Sequence, residues 1–198
     1  YTSGVVNRLS VTEQVLYEMG DPNKYISPDV CVDFTSFNLM EIKKNVVSIN
    51  NVIGFKPTST YKVSISYFSG YKCSAQLTIS GPNSYDKAKL VAKTIWERLK
   101  LAGTTFNKKN TEYLGFNSCH KNINLKYSGA NEIVLRLSVK DDNRKKVERF
   151  SKEISPIITS GPPGVTGFAG GRPKVQEVIS FWPALIDKKL ITTKVKIL

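Results

Sequence analysis

Residues 61–101 read YKVSISYFSGYKCSAQLTISGPNSYDKAKLVAKTIWERLKL, and this stretch decides the fold. In Tyr61–Ser80, apolar and polar residues alternate, which is the period of a strand with one buried face. The dipeptide Ser69-Gly70 interrupts the alternation and predicts the two-residue turn of a hairpin. From Ser84 to about Leu101, apolar residues recur every three or four positions, so this segment predicts an amphipathic helix with Ser84 as its N-cap.

The same order, strands and then a helix, recurs later in the chain. Strands are predicted at 112–117 and 133–140, and a helix is expected to begin near Asp141 or Asp142 and to end or kink around Pro156. Two such groups predict an α+β fold, in which an antiparallel or mixed sheet carries both helices on one face as a two-layer sandwich. The expected core contains Val63, Ile65, Leu77, Ile79, Val91, Ile95, Leu135, Leu137 and Phe150.

Shorter elements complete the pattern. A helix is predicted over Val11–Met19, capped by Ser10 or Thr12. Strands are predicted at 29–34, 37–42, 45–50 and 175–182, with a final half-exposed strand at 191–197. The chain shows no repeat and no long linker, and its length suits one large core, so residues 1–198 are expected to form a single α+β domain.

The cysteines and the apolar segments indicate a compartment. Cys31, Cys73 and Cys119 are odd in number and widely spaced, so they encode neither a disulfide framework nor a zinc site. The one long uncharged stretch, Ile154–Gly171, is broken by prolines and glycines and could not form a membrane-spanning helix. We therefore expect a cytoplasmic protein without a membrane partner.

The formal net charge of +13 is a candidate functional signal, because a basic surface attracts phosphates and nucleic acid. Lysines far outnumber arginines, and many lie beside asparagines, as in Lys43-Lys44-Asn45. This pattern is typical of compositional bias, whereas nucleic-acid binding favours arginines interleaved with aromatic residues. No specific nucleic-acid partner is predicted, and a basic nucleic-acid-binding domain stays open as an alternative.

The only histidine, His120, follows Cys119 directly, which raises the question of a Cys/His nucleophilic pair. Adjacent residues of a strand point to opposite faces, and in a loop they rarely share a proton, so a surface-loop histidine is the preferred interpretation. With one histidine and no suitable cluster of cysteines or carboxylates, no metal site and no complete catalytic centre are predicted.

Three aspartates are candidates for acid-base chemistry. Asp29 and Asp33 lie four residues apart on one predicted strand, which places them about 13 Å apart, beyond the roughly 5–9.5 Å of glycosidase pairs. Asp21, between Gly20 and Pro22, sets a turn in the simplest interpretation. Asp21, Asp29 and Asp33 remain candidates for lining a cleft shared with another domain, Asp21 and Asp29 being the preferred two.

The segment 160–174, SGPPGVTGFAGGRPK, is the most unusual stretch of the chain. Its glycines could bring backbone N–H groups close to a phosphate or carboxylate, with Arg172 and Lys174 as charge partners. It runs from a helix into a strand, the reverse of a phosphate-binding loop, so a structural connection or a subunit contact is an equal alternative. The candidate binding or interdomain residues in it are Gly161, Gly164, Gly167, Gly170, Gly171 and Arg172.

Several motifs carry a family resemblance. TEQVLYEMGDP at 12–22 is followed by YISPDV at 25–30, and SGP at 80–82 and the segment 160–177 add to the pattern. Together they resemble the C-terminal part of the acyclic terpene utilisation family, AtuA, over nearly the whole chain. The resemblance implies that an N-terminal half is absent from this chain.

The same resemblance implies a pathway, since the family is named for gene clusters that degrade acyclic terpenes through acyl-CoA intermediates. It supplies no catalytic residues and no cofactor, so whether the chain is an enzyme stays undecided. The leading hypothesis is a non-autonomous domain that forms a site for an acyl-CoA or another anionic small molecule with its own N-terminal domain or a second subunit. The alternatives are an assembly module without a ligand and the basic nucleic-acid binder.

Overall fold

The structure is a computed structural model that describes residues 3–116, 118–119, 129–168 and 170–197. Its elements, in chain order, are α1 (Arg8–Leu16), β1 (Tyr25–Ile26), β2 (Cys31–Asp33), β3 (Asn38–Lys43), β4 (Val46–Asn50), β5 (Ile53–Phe55), β6 (Thr60–Ser80), α2 (Ser84–Leu101), β7 (Lys108–Leu114), β8 (Glu132–Asp141), α3 (Arg144–Ser160), β9 (Val165–Gly167) and β10 (Gln176–Asp187). A short 3-10 helix, Lys188–Leu190, follows β10. The predicted α+β class is confirmed.

The chain divides into two compact units, Tyr1–Ile65 with Pro183–Leu198, and Ser66–Trp182. Strands β6 and β10 each pass from one unit into the other along the chain. The expectation of a single domain over 1–198 stays a prediction.

The second unit is built on the sheet order β10-β6-β8-β7, with β9 also paired to β6. Strands β6 and β8 run antiparallel in register from Tyr71↔Asp141 to Ser80↔Glu132. Every second residue is buried in β8 and in β6 from Cys73 to Ile79, and α2 and α3 cover that face with their own apolar stripes. The predicted packing of two helices on one sheet face is therefore confirmed.

The predicted hairpin turn at Ser69-Gly70 is wrong, because β6 continues through it as one strand of 21 residues. Gly70 has a φ of +87°, and a Cβ there would lie 2.7 Å from Asp142 Oδ1 and 3.0 Å from the Asp141 carbonyl oxygen. The glycine thus lets β6 pass close to the end of β8. Periodicity with an interrupting glycine fits a distorted strand as well as it fits a turn.

Two residues that were predicted to lie in the core are exposed instead. Val63 and Ile65 are 37% and 48% exposed, whereas the other seven predicted core residues are buried. The buried face of β6 begins at Cys73, where the helices start to cover the sheet. Alternation in the first half of β6 therefore reports a strand but not the core.

Other boundaries also differ from the predictions. Helix α1 begins earlier than expected and is capped by Asn7 in a capping box with Ser10. Helix α3 continues past Pro156 to Ser160, since buried Ile154 and Ile157 hold both sides of the proline on the core. The predicted strand at 191–197 is wrong: this segment has no regular structure, because alternation alone does not supply a hydrogen-bonded neighbour.

The first unit contains the antiparallel strands β1-β2-β5, the pair β3-β4 and helix α1. Glu41 of β3 accepts a hydrogen bond at 2.8 Å from the backbone N–H of Arg8, which joins β3 to the first turn of α1. Cys31 is the only buried residue among those the structure describes in this unit. The first unit thus has almost no core of its own.

A buried carboxylate joins the two large helices of the second unit. The Glu153 side chain is 1% exposed and forms ion pairs with Arg98 of α2 and, at 2.8 Å, with Arg149 of α3. A buried carboxylate needs such partners, because desolvation strongly disfavours an isolated charge. Glu153 therefore fixes α2 against α3 at one end of the core.

We predict that Ile95→Ala lowers the free energy of unfolding by about 2–5 kcal/mol, because Ile95 is fully buried among the helix and sheet residues. The matched variant Ile65→Ala should cost less than about 1 kcal/mol, since Ile65 is half exposed. Urea denaturation of both variants measures the difference. Equal losses in the two variants would contradict this core.

A second prediction concerns the ion pairs. The double variant Arg98→Met/Arg149→Met should destabilise the fold by about 3 kcal/mol, the low end for a broken buried pair because both arginines are half exposed. Adding Glu153→Gln should recover part of this loss, since it removes the uncompensated charge. If the triple variant is less stable than the double variant, Glu153 contributes through packing rather than charge.

Candidate functional site

The glycines that follow α3 are packed closely against the rest of the second unit. A Cβ on Gly161 would lie 2.3 Å from the carbonyl oxygen of Ile157. Gly164 has a φ of +85°, its carbonyl accepts from the Ser80 N–H at 2.9 Å, and a Cβ on it would lie 2.3 Å from Ser80 Oγ. These two glycines are thus explained by contacts within the chain.

Lys87 joins this loop to the start of α2. Its ammonium group donates hydrogen bonds to the carbonyl oxygens of Gly81, at 3.4 Å, and Pro163, at 3.1 Å. These two carbonyl oxygens accept from the ammonium N–H groups that an anionic ligand would need as donors. The Lys87 side chain therefore has a structural role in holding the loop.

The later part of the segment borders a cleft of about 540 Å³ within the second unit. Strand β6 contributes Ser74 and Gln76, α3 contributes Ile154, Ser155 and Ile158, and the loop contributes Gly167, Phe168 and 170–174. We call this the glycine-loop cleft. It lies beside β6, at the loop that connects β9 to β10. Both of these strands are neighbours of β6.

One wall of the glycine-loop cleft is apolar and another is cationic. Ile158 and Phe168 are partly exposed beside buried Ile154. Arg172 and Lys174 are exposed on the loop, and neither forms an ion pair with a carboxylate in the described part of the chain. The cleft therefore offers unneutralised positive charge beside apolar surface.

A smaller groove of about 380 Å³ lies on the other side of Arg172–Lys174. It is lined in part by Arg144 and Lys152 of α3, and Arg144 is paired at 3.0 Å with Glu148. The Ser151 hydroxyl donates to the Pro173 carbonyl, which anchors the segment between the two depressions. The cations of the loop and of α3 thus share one side of the unit.

Gly170 and Gly171 differ from Gly161 and Gly164. Their φ angles are +106° and +72°, but a Cβ at either position would meet no heavy atom within 4 Å. They are needed for backbone conformation and leave the space around them open. Of the predicted loop residues, Gly167, Gly170, Gly171 and Arg172 line the glycine-loop cleft, while Gly161 and Gly164 do not.

The predicted aspartates belong to the first unit, whereas the cleft lies wholly in the second. Asp21 accepts a hydrogen bond from the Asn23 N–H at 3.0 Å, which is the turn that the sequence predicts. Asp29 is exposed. At Asp33, hydrogen bonds from the Thr35 hydroxyl and N–H lower the pKa of the carboxyl, which suits a loop cap rather than a proton donor.

The buried thiol of Cys73 is not an activated nucleophile. Burial raises the pKa of the Cys73 thiol to about 11, so it stays protonated at neutral pH. Burial acts to raise the pKa of Asp141, but hydrogen bonds from the Asn143 and Asn107 N–H groups, with Lys146, lower it overall. His120 lies outside the described residues, and the described residues contain no cluster suited to a metal ion.

Several cleft residues were missed by sequence reasoning. Ser74 and Gln76 come from β6, which is distant from the loop in sequence, whereas Ser155 and Ile158 come from α3, which directly precedes the loop. The sequence indicates only the face on which each residue lies. Ser74 and Gln76 fall on the polar face of β6, and Ile158 extends the apolar face of α3. Nothing in the sequence says that these faces meet the loop.

The second unit is thus an α+β fold in which a glycine-rich loop lies beside a cationic cleft, and comparison with known proteins identifies the family. The model of the family described as "Acyclic terpene utilisation family protein AtuA" matches residues 1–197. The chain therefore belongs to the AtuA family, and its link to acyclic terpene utilisation follows from that membership. Neither the curated proteins nor the solved structures contain a match to the chain. Among the described residues, no helix is both long and apolar enough to span a bilayer.

We predict that substitution of two glycines of the loop destabilises the fold to different extents. Gly164→Ala should destabilise the fold by more than about 2 kcal/mol, because strain at positive φ adds to the contact with Ser80. Gly170→Ala should cost only about 1–2 kcal/mol, because its Cβ would enter open space. Thermal unfolding of the two variants tests this order. A larger loss at Gly170 would mean that the loop is held differently.

Proposed function

We propose that this chain is a non-autonomous domain of an AtuA family protein that contributes to a site for an acyl-CoA or another anionic small molecule. The observation that carries the proposal is the unpaired Arg172 and Lys174 beside the apolar wall of the glycine-loop cleft. The reaction sequence it would serve is the breakdown of acyclic terpenes or other branched chains, consistent with the family. The proposal concerns binding and includes no catalytic step.

The chemistry of an acyl-CoA matches both walls of the cleft. Its acyl chain and pantetheine arm are apolar or neutral, and its phosphates carry several negative charges. A guanidinium can bind a phosphate through two parallel hydrogen bonds, which supports Arg172 as the principal anion contact. Lys174 and Lys152 add positive charge on the same side of α3 and the loop. Ile158 and Phe168 are suited to the apolar part.

A second candidate, an assembly module, is favoured by the first unit. Its described residues bury only Cys31, yet it exposes several large apolar side chains, among them Met40, Ile42, Ile53 and Phe55. Apolar surface of this kind is typical of a protein interface. The proposed partner is the protein's own N-terminal domain or a second subunit. Binding of a ligand and docking of a partner are compatible functions of the two units.

We expect coenzyme A to raise the melting temperature of the chain, and a branched acyl-CoA such as isovaleryl-CoA to raise it further, because a ligand that binds only the folded state stabilises it by mass action. At about a hundred times the dissociation constant, that stabilisation is about 2.7 kcal/mol. The double variant Arg172→Ala/Lys174→Ala should lose most of the shift. Differential scanning fluorimetry at fixed ionic strength measures it.

The control is Lys72→Ala/Lys62→Ala, which removes equal charge from exposed positions of β6. If the control loses as much of the shift as the loop variant, the response is a general effect of charge and the cleft is not the site. The absence of any shift, combined with concentration-dependent association in sedimentation, would favour the assembly module. Submicromolar, sequence-selective binding of an oligonucleotide at physiological salt would favour the nucleic-acid alternative.

A further inference from the structure

A second cleft, of about 650 Å³, lies between the C-terminal half of α2 and the turn at 104–107 that leads into β7. None of the residues that line it also lines the glycine-loop cleft. Its volume is within the range of pockets that hold small molecules. We call it the Trp96 cleft, after the aromatic residue in its wall.

Trp96 is held in a fixed orientation before any ligand arrives. Its indole Nε1–H donates to the Thr111 hydroxyl at 2.9 Å, which anchors the ring to β7. The ring stacks on Phe150 of α3, with centroids 5.9 Å apart and an interplanar angle of 18°, and Phe106 packs against Phe150 edge-on. Trp96 and Phe106 stay partly exposed in the cleft wall. A rigid, partly exposed aromatic surface of this kind suits a second planar ring.

Positive charge surrounds this aromatic surface. The Lys109 ammonium lies over the Trp96 ring, 5.3 Å from its centroid, in a cation–π contact, and Lys100 lines the same cleft from the last turn of α2. Neither lysine forms an ion pair with a carboxylate in the part of the chain that the structure describes. Lys93, by contrast, is paired with Glu97 at 3.8 Å. Lys100 and Lys109 therefore keep positive charge that no carboxylate of the described residues neutralises, with Lys109 held only by its contact with the Trp96 ring.

We propose that the Trp96 cleft binds a small molecule in which a planar aromatic ring carries a phosphate or carboxylate group, a mononucleotide being the simplest example. The ligand ring takes the place of the Lys109 ammonium over Trp96, beside Phe106, and the anion contacts Lys100 and the displaced Lys109. A small molecule is favoured over a nucleic-acid strand because strand-binding proteins present successive aromatic platforms along a basic groove. This cleft presents one platform in a single depression.

The test uses tryptophan fluorescence, since the chain has two tryptophans and only Trp96 lies in the cleft. In a Trp182→Phe background, which removes the exposed second indole, adenosine 5′-monophosphate should quench Trp96 and saturate below about 1 mM. Adenosine should bind more weakly, and ribose 5-phosphate should compete poorly, because each has only one of the two features. Lys100→Ala/Lys109→Ala should weaken the nucleotide by about tenfold.

Two control variants locate the effect. Lys62→Ala and Lys72→Ala, at exposed positions of β6 that line neither cleft, should leave nucleotide binding unchanged, so a loss in the double lysine variant reports the Trp96 cleft rather than total charge. The proposal is overturned if the nucleotide does not quench Trp96, if ribose 5-phosphate competes as well as the nucleotide, or if the double lysine variant binds undiminished. Submicromolar binding of a single-stranded oligonucleotide, with the mononucleotide far weaker, would also overturn it in favour of a nucleic-acid strand.

Discussion

The second unit depends on the hydrogen bonding of β6 along both of its edges. Strand β8 pairs with one edge from Tyr71 to Ser80, and β9 and β10 are both neighbours on the other side. Because the residues of a strand alternate between faces, this pairing sends Leu77 and Ile79 into the helical layer and Ser74 and Gln76 away from it. The loop that joins β9 to β10 therefore connects two neighbours of β6, and together with β6 and α3 it lines the glycine-loop cleft.

Local periodicity was enough to predict the α+β class, both large helices and the strands that carry the core. Local periodicity failed where the burial of a strand residue depends on whether a helix covers that part of the sheet. Val63 and Ile65 alternate just as Leu77 and Ile79 do, yet only the second pair lies beneath the helices. Likewise, the glycine at position 70 was interpreted as a turn, although its backbone serves a close approach to Asp142 that is distant in sequence.

The candidate site shows the same division between local and non-local information. Glycine density singled out the segment after α3, but it did not separate Gly164, which accommodates Ser80, from Gly170, which faces open space. The distinction rests on which atoms of β6 approach the backbone, and a single sequence does not encode that distance in any short pattern. The Trp96 cleft was missed altogether, because Trp96 falls within an amphipathic helix where an aromatic residue is most simply part of the core.

Helix α3 links the two clefts of the second unit. Phe150 supports the Trp96 ring, whereas Ile154, one turn later on the same helix, forms part of the wall of the glycine-loop cleft. Between them in sequence, buried Glu153 ties α3 to α2 through Arg98. A packed helix moves as a body rather than residue by residue, because the core around it has little free volume. A shift of α3 would therefore move both the support beneath the Trp96 ring and the wall of the glycine-loop cleft, and the buried ion pairs of Glu153 oppose such a shift.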